Sequence, residues 1–311
     1  MIVAGALALT SFLISASLVR KLFREGPITP VMANMQYHFA LYLGQSRSSF
    51  NADIVTGARR AAAESNASIS IHTLDTQGIE LNMASYIGVD GIVVSPNLDD
   101  NVTRQKLEKL RELKTPLVLV NHNVPSELPW PFIGTNNFDF GKKAGSLIRP
   151  DADSARKLRI AVVYSEKSPA LYAERELVEM GINSVLSSRL LSPILGEHTD
   201  LNPRDAEKIV YQLVRMEPLL TTIIFTDSND TLAGTQALID LNMVGRVQII
   251  GFGSVPGIRE YIKKGIISGS LAVNPELIGY QAVKSLVELR STGYTSTSVD
   301  IGIDVITGTD K

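Results

Sequence analysis

The residues of this chain best suited to chemistry are amides and hydroxyls gathered where apolar runs end: Gly44-Gln45-Ser46, Asn121-His122-Asn123 and Asp227-Ser228-Asn229-Asp230. Such groups donate and accept hydrogen bonds but bring no activated nucleophile, so they suit reversible capture of a small polar molecule. The usual catalytic fingerprints are missing, with no G-x-S-x-G elbow, no G-x-x-x-x-G-K-[ST] phosphate loop and no kinase set. Gly251-Phe252-Gly253 opens like a dinucleotide-binding turn, yet Pro256 stands where the third glycine belongs and Gly257 follows one residue late. The four histidines, His38, His72, His122 and His198, form no H-x-x-x-H pair, which argues against a histidine metal site. Zero cysteines remove disulfides, thiolate catalysis, cysteine-bound zinc and a lipidated cysteine together. The inventory points to binding rather than catalysis, with no cofactor and no metal implied.

What must position these clusters is an alternation of short aliphatic runs with helix-period segments, the βα rhythm of a parallel sheet covered on both faces. Strands are predicted at Tyr37–Leu43, Ser68–Thr73, Gly91–Ser95, Pro116–Asn121 and Phe132–Gly134. A second set follows at Leu158–Tyr164, Ser192–Leu195, Thr222–Thr226, Val247–Gly251 and Ile267–Val273. Helices are predicted between them at Ala52–Glu64, Thr76–Ile87, Val102–Leu113, Ala170–Val185, Pro203–Met216, Thr231–Leu241 and Ile258–Lys264, while the residues after Gly134 read as a polar turn. In open α/β sheets ligands sit beyond the carboxyl ends of the strands, which is where the polar clusters fall.

The chain's 311 residues suggest two domains at roughly 150 residues each. With 44% apolar and 20% charged residues it can bury sizeable cores, and a formal charge of −2 offers no bulk attraction to nucleic acid. Met1–Val19 carries no charge and fourteen apolar side chains, about 28 Å if helical, so it reads as a membrane anchor or signal segment, with 20–36 as a linker. Arg20, Lys21 and Arg24 follow it, and the positive-inside rule taken alone places the remainder in the cytoplasm, against the extracytoplasmic reading below.

The order of these segments resembles the type I periplasmic binding protein superfamily, including ribose- and galactose-binding proteins and the effector domains of lactose-repressor-type regulators. The resemblance is carried by Ser49-Phe50 with Gly57-Ala58-Arg59-Arg60, by Gly88-Val89-Asp90-Gly91-Ile92-Val93-Val94-Ser95-Pro96, and by Gly134-Thr135-Asn136-Asn137 with Gly141. Further along come Glu174-Arg175, Asn229-Asp230 with Gly234, Ile250-Gly251-Phe252, and Asn274-Pro275 with Gly279. It implies an α/β fold of two Rossmann-like lobes with parallel sheets, joined by a three-strand hinge and closing on a sugar-like ligand. One lobe would be 37–136 plus 275–292; the other would be 137–274 plus 293–311, with Ser298–Ile306 as its last strand. A lactose-repressor-type regulator needs a helix-turn-helix before the first strand, and residues 1–36 hold an apolar span instead.

The resemblance also implies site residues. Asn121 and His122 fall where sugar binders present an Asp-Arg pair, Asn121 as a ligand residue or an Asx turn, His122 as a ligand residue or hinge packing. Arg175 matches a ligand-binding arginine, with an ion pair to Glu174, Glu176 or Glu179 as its rival. Asn229 is expected to meet the ligand while Asp230 caps a helix beginning at Thr231. Asn274 stands at the last hinge crossing as ligand or turn residue, Phe50 would stack on the sugar or join the core, and Tyr172 would approach from the other lobe. Trp130 is either a cleft lid or a loop anchor. Gly253 departs from the pattern, because many sugar-binding members carry an aspartate there.

The function expected is an extracytoplasmic, membrane-tethered protein that senses a pentose or hexose by cleft closure and signals to a membrane histidine kinase of a two-component system. The alternative is the solute-binding component of an ABC sugar permease, secreted or periplasmic after cleavage of Met1–Val19. An α/β enzyme with an unfamiliar site is the third class.

Overall fold

Runs of Val, Ile and Leu with no polar alternation belong in strands buried on both faces, and the central strands here are of that kind. The computed structural model describes residues 36–44, 50–75, 78–84, 86–97, 99–149, 157–165, 171, 173–200 and 202–308. The apolar run Met1–Val19, the linker up to residue 35 and Tyr172 lie outside them. Among the described residues no helix is long and apolar enough to cross a membrane.

The first unit runs β1 (Tyr37–Gly44), α1 (Phe50–Glu64), β2 (Ala67–Leu74), α2 (Ile79–Ala84), β3 (Gly91–Val94), α3 (Asp100–Glu112), β4 (Leu117–Val120) and β5 (Phe132–Gly134). The second runs α4 (Asn137–Leu147), β6 (Arg159–Ser165), α5 (Arg175–Leu186), β7 (Leu195–Thr199), α6 (Pro203–Met216), β8 (Leu220–Phe225), α7 (Ser228–Asp240), β9 (Gln248–Phe252), α8 (Pro256–Lys263) and β10 (Gly269–Ala272). The chain then returns as α9 (Pro275–Thr292), β11 (Ser298–Asp300) and β12 (Asp304–Ile306). Two six-stranded sheets result, ordered β11-β5-β4-β3-β1-β2 and β12-β10-β9-β8-β6-β7. The two orders are the same pattern read twice, and among the described residues only the β10–β12 pairing is antiparallel. This is the two-lobe α/β architecture expected, and apolar clusters cover both faces of each sheet.

Three expectations need correction. The segment after Gly134 is a helix, α4, rather than a polar turn: Asn136 Oδ1 accepts from Phe138 N–H at 2.9 Å and Asp139 N–H at 3.1 Å, capping it. Its glycines hide the helical signal, and they are there because α5 lies against it; a Cβ on Gly141 would meet Val178 O at 2.1 Å. The strand placed at Ser192–Leu195 is β7, Leu195–Thr199, because an edge strand needs less apolar character and Pro193 has no N–H to give. The stretch Ser298–Ile306, assigned whole to the second lobe, splits: β11 pairs with β5 in the first sheet and β12 with β10 in the second. Gly302, at φ +74°, turns the chain between them, and its N–H is held by Asp300 Oδ1 at 2.9 Å. Of the two roles open to Trp130, the structure shows the loop anchor. It is 4% exposed in the core of the first sheet, with the Arg111 guanidinium 4.2 Å from its ring centroid and donating to Leu128 O at 2.5 Å, so it anchors the β4–β5 loop.

The sheets are linked by three chain passages, at 135–136, 273–274 and 301–303. Lys143 of α4 donates to Ile303 O at 2.8 Å, tying the helix that follows the first passage to the third.

Candidate ligand-binding site

At the carboxyl end of β4 the chain turns sharply through Asn121, whose φ of +65° is a conformation asparagine tolerates better than most residues. Its Nδ2 donates to Ser95 Oγ, at the end of β3, at 3.3 Å, which aims the amide along the rim of the first sheet. His122 follows, 7% exposed, with Nε2 3.0 Å from Asp100 Oδ1 at the start of α3. Burial holds this imidazole below the usual histidine range, and the Asp100 carboxylate only partly opposes that. An imidazole harder to protonate folded than unfolded means the unfolded chain binds more protons below about pH 6.5, so this residue withdraws stability as pH falls through that value. His122→Gln is therefore expected to lose less melting temperature than the parent between pH 7 and pH 5; equal slopes would remove His122 from the account.

The second sheet builds its rim differently. Asp227 caps α7, accepting from Asn229 N–H at 2.7 Å and Asp230 N–H at 3.4 Å, so the helix begins at Ser228 and the cap is not Asp230 as expected. Asp230 is instead fully buried, its Oδ2 accepting from Ser165 Oγ at 2.5 Å and from Thr199 Oγ1, which joins β6, β7 and α7. Burial holds its carboxyl above the usual range despite those two donors. Ser165 N–H also donates to Thr226 Oγ1 at 2.9 Å, locking the exit of β6 to that of β8.

Where the rim of the first sheet meets the first passage and the starts of α4 and α5 lies a cavity of about 250 Å³. Asn121, Asn123, Thr135, Asn137, Glu174 and Asp300 supply most of its polar wall, with Phe132 and Leu177 among its apolar residues. Of the described residues expected from sequence to meet a ligand, only Asn121 lines it. His122 packs behind, against Asp100. Phe50 opens α1 half-buried against the first core. Asn229 is exposed in the first turn of α7, and Asn274 is an exposed cap of α9, accepting from Leu277 N–H at 3.1 Å. Arg175 turns away: its Nε meets Glu179 Oε1 at 2.7 Å, and the guanidinium lies against Gly196 of β7. The adjacent Glu174 faces the cavity in its place. The run Gly134-Thr135-Asn136-Asn137 held the missed signal, a polar crossing at a strand end. Among the described residues no group of three or more His, Cys, Asp and Glu is placed to hold a metal ion. Amides, a hydroxyl and carboxylates around so small a space can bind and orient a polyhydroxylated molecule, and no nucleophile–base pair accompanies them.

Comparison with solved structures finds the same fold repeatedly. GanP, a glucose-galactose binding protein from Geobacillus stearothermophilus, superposes with a TM-score of 0.76 at 20% identity over 88% of this chain and 98% of its own. A carbohydrate transporter solute binding protein from Agrobacterium radiobacter, in complex with D-arabinose, gives 0.75 at 17% identity, covering 89% and 96%. An ABC transporter periplasmic solute binding protein from Actinobacillus succinogenes with bound D-allose gives 0.74 at 15%, covering 88% and 98%. Comparison with curated proteins gives no match. A family model described as the periplasmic binding protein domain matches residues 39–293, which takes in the strands of both sheets up to β10 and the returning helix α9. With that span matched and the two-lobe fold in place, the chain belongs to the periplasmic binding protein domain family.

Proposed function

We propose that the protein is an extracytoplasmic sugar-binding protein that closes on a small pentose or hexose and delivers it to the permease of an ABC importer. The observation that carries this reading is the amide-lined cavity where the carboxyl end of the first sheet meets the first linking passage and the starts of α4 and α5 of the second unit. Hydroxyls both donate and accept, and Asn121, Asn123, Thr135 and Asn137 can answer either role. Solved relatives in fold that hold D-arabinose and D-allose support the same ligand class. Signalling or delivery then needs only that the ligand stabilise the closed form more than the open one.

A ligand that binds only the folded state raises the melting temperature. Titration of the chain with D-glucose, D-galactose, D-arabinose and D-allose is expected to show such a rise for at least one sugar. Asn121→Ala should weaken that sugar by about tenfold. No shift with any of them would overturn the reading.

The second reading, a tethered sensor working with a histidine kinase, rests on Met1–Val19, an uncharged apolar run in a chain with no cysteine for lipid attachment. Sequencing the amino terminus of the mature protein separates the two: retention of the run in the membrane fraction favours the sensor, and cleavage favours the importer.

A further inference from the structure

The cavity wall carries more than hydroxyl recognition requires. Among the described residues that line it, Glu174 and Asp300 are carboxylates, and none is a lysine, arginine or histidine. Asp300 is already engaged by Gly302 N–H at 2.9 Å. Glu174 is not: it precedes α5 at the cap position without accepting from any helix N–H, and no described residue hydrogen-bonds or ion-pairs with its carboxylate. The neighbouring cation, Arg175, is committed to Glu179 at 2.7 Å on the far side, pressed against Gly196. Burial, reinforced by the Asp100 and Glu176 carboxylates, holds the Glu174 carboxyl above its usual range, as befits an acid without a counterion.

We infer that the molecule bound at this end of the cleft supplies the missing cation: it is an amino sugar or comparable hydroxylated amine, whose ammonium meets Glu174 while its hydroxyls meet Asn121, Asn123 and Thr135. The inference rests on the carbohydrate reading above and narrows it. A hydrogen bond between two charged groups is roughly twice as strong as a neutral one. The amine should therefore be distinguished from the parent hydroxyl by at least about tenfold in affinity.

The test compares D-glucosamine and D-galactosamine with D-glucose, D-galactose and the uncharged N-acetyl-D-glucosamine, by calorimetric titration of the full chain. The amines are expected to bind at least about tenfold tighter than their parents, with a preference that shrinks as salt is raised. Glu174→Gln should bring amine and parent to equal affinity. Glu176→Gln, whose carboxylate lies two residues along and outside the cavity wall, should keep the preference. Equal binding of amines and parents by the unaltered chain overturns the inference and leaves the carbohydrate reading standing. So does a preference that survives Glu174→Gln. Failure of every sugar in both series overturns the two together.

Discussion

Gly279→Ala is expected to cost about 3 kcal/mol and lower the melting temperature by roughly 6–12 °C, although alanine is the better helix former by about 1 kcal/mol. The reason is the closeness of α1 and α9. A Cβ on Gly279 would stand 1.9 Å from Ile54 O, and one on Gly57 would stand 1.8 Å from Glu276 O, so each glycine receives the other helix's backbone. Backbone cannot step aside as a flexible side chain can. The helices would have to separate, and the apolar layer holding Ile54, Ala58, Ile278 and Ala282 would lose contact with them. The second lobe repeats the device at Gly141 and Gly181, where α4 meets α5; a Cβ on Gly181 would lie 2.2 Å from Phe138 O. These pairs matter for binding because α9 starts at the second passage and α4 at the first, so their seating sets where the rims face each other. An alanine variant that melts at or above the parent temperature would show that the helices move apart freely, and the argument from close packing would be lost.

The same glycines show why parts of the fold are hard to read from sequence. The central strands are legible because burial on both faces leaves uninterrupted aliphatic runs, as in Gly91–Val94 and Leu117–Val120. The helix at Pro203–Met216 is legible to the residue, since Asn202 caps it and Pro203 opens it. In α4 the demand for close approach puts glycine where helix formers would announce the element. At β11 and β12 one alternating stretch, Val299, Ile301, Ile303 and Val305, serves two sheets, and only a positive-φ glycine marks the change of partner.

The site was legible to the level of its strand ends and no finer. Asn121 follows a clear strand, so its rim position can be read directly. Glu174 and Arg175 stand at a helix start, where successive residues point about 100° apart and the apolar period does not settle the phase of the first turn. A one-residue difference there exchanges a guanidinium for a carboxylate on the cavity wall. The hinge crossing at Thr135–Asn137 is legible only as a polar segment, because its role depends on a returning strand more than 150 residues later in the chain.

Gly253→Asp is expected to destabilise the protein by about 2–4 kcal/mol and not to tighten sugar binding, although it installs the residue the family resemblance leads one to expect. Gly253 follows β9 at φ +96°, a conformation that side-chain-bearing residues rarely adopt. Its backbone is held on both sides, with N–H donating to Leu271 O at 2.7 Å and the carbonyl accepting from Ser270 Oγ at 2.7 Å, so it cannot rotate to relieve the strain. The space is also taken: a Cβ would come 2.2 Å from Ser228 Oγ and 3.0 Å from Ser228 Cβ. Ser228 thus fills the volume an aspartate would need. The two positions should be coupled accordingly. Adding Ser228→Ala to Gly253→Asp should recover about 1 kcal/mol by removing the hydroxyl, while the backbone cost remains, giving a coupling energy above about 0.5 kcal/mol in a double-mutant cycle of denaturant midpoints. Strict additivity would mean that Ser228 does not occupy the contested space. An aspartate accepted at 253 without loss of stability would mean that the left-handed turn after β9 is not required.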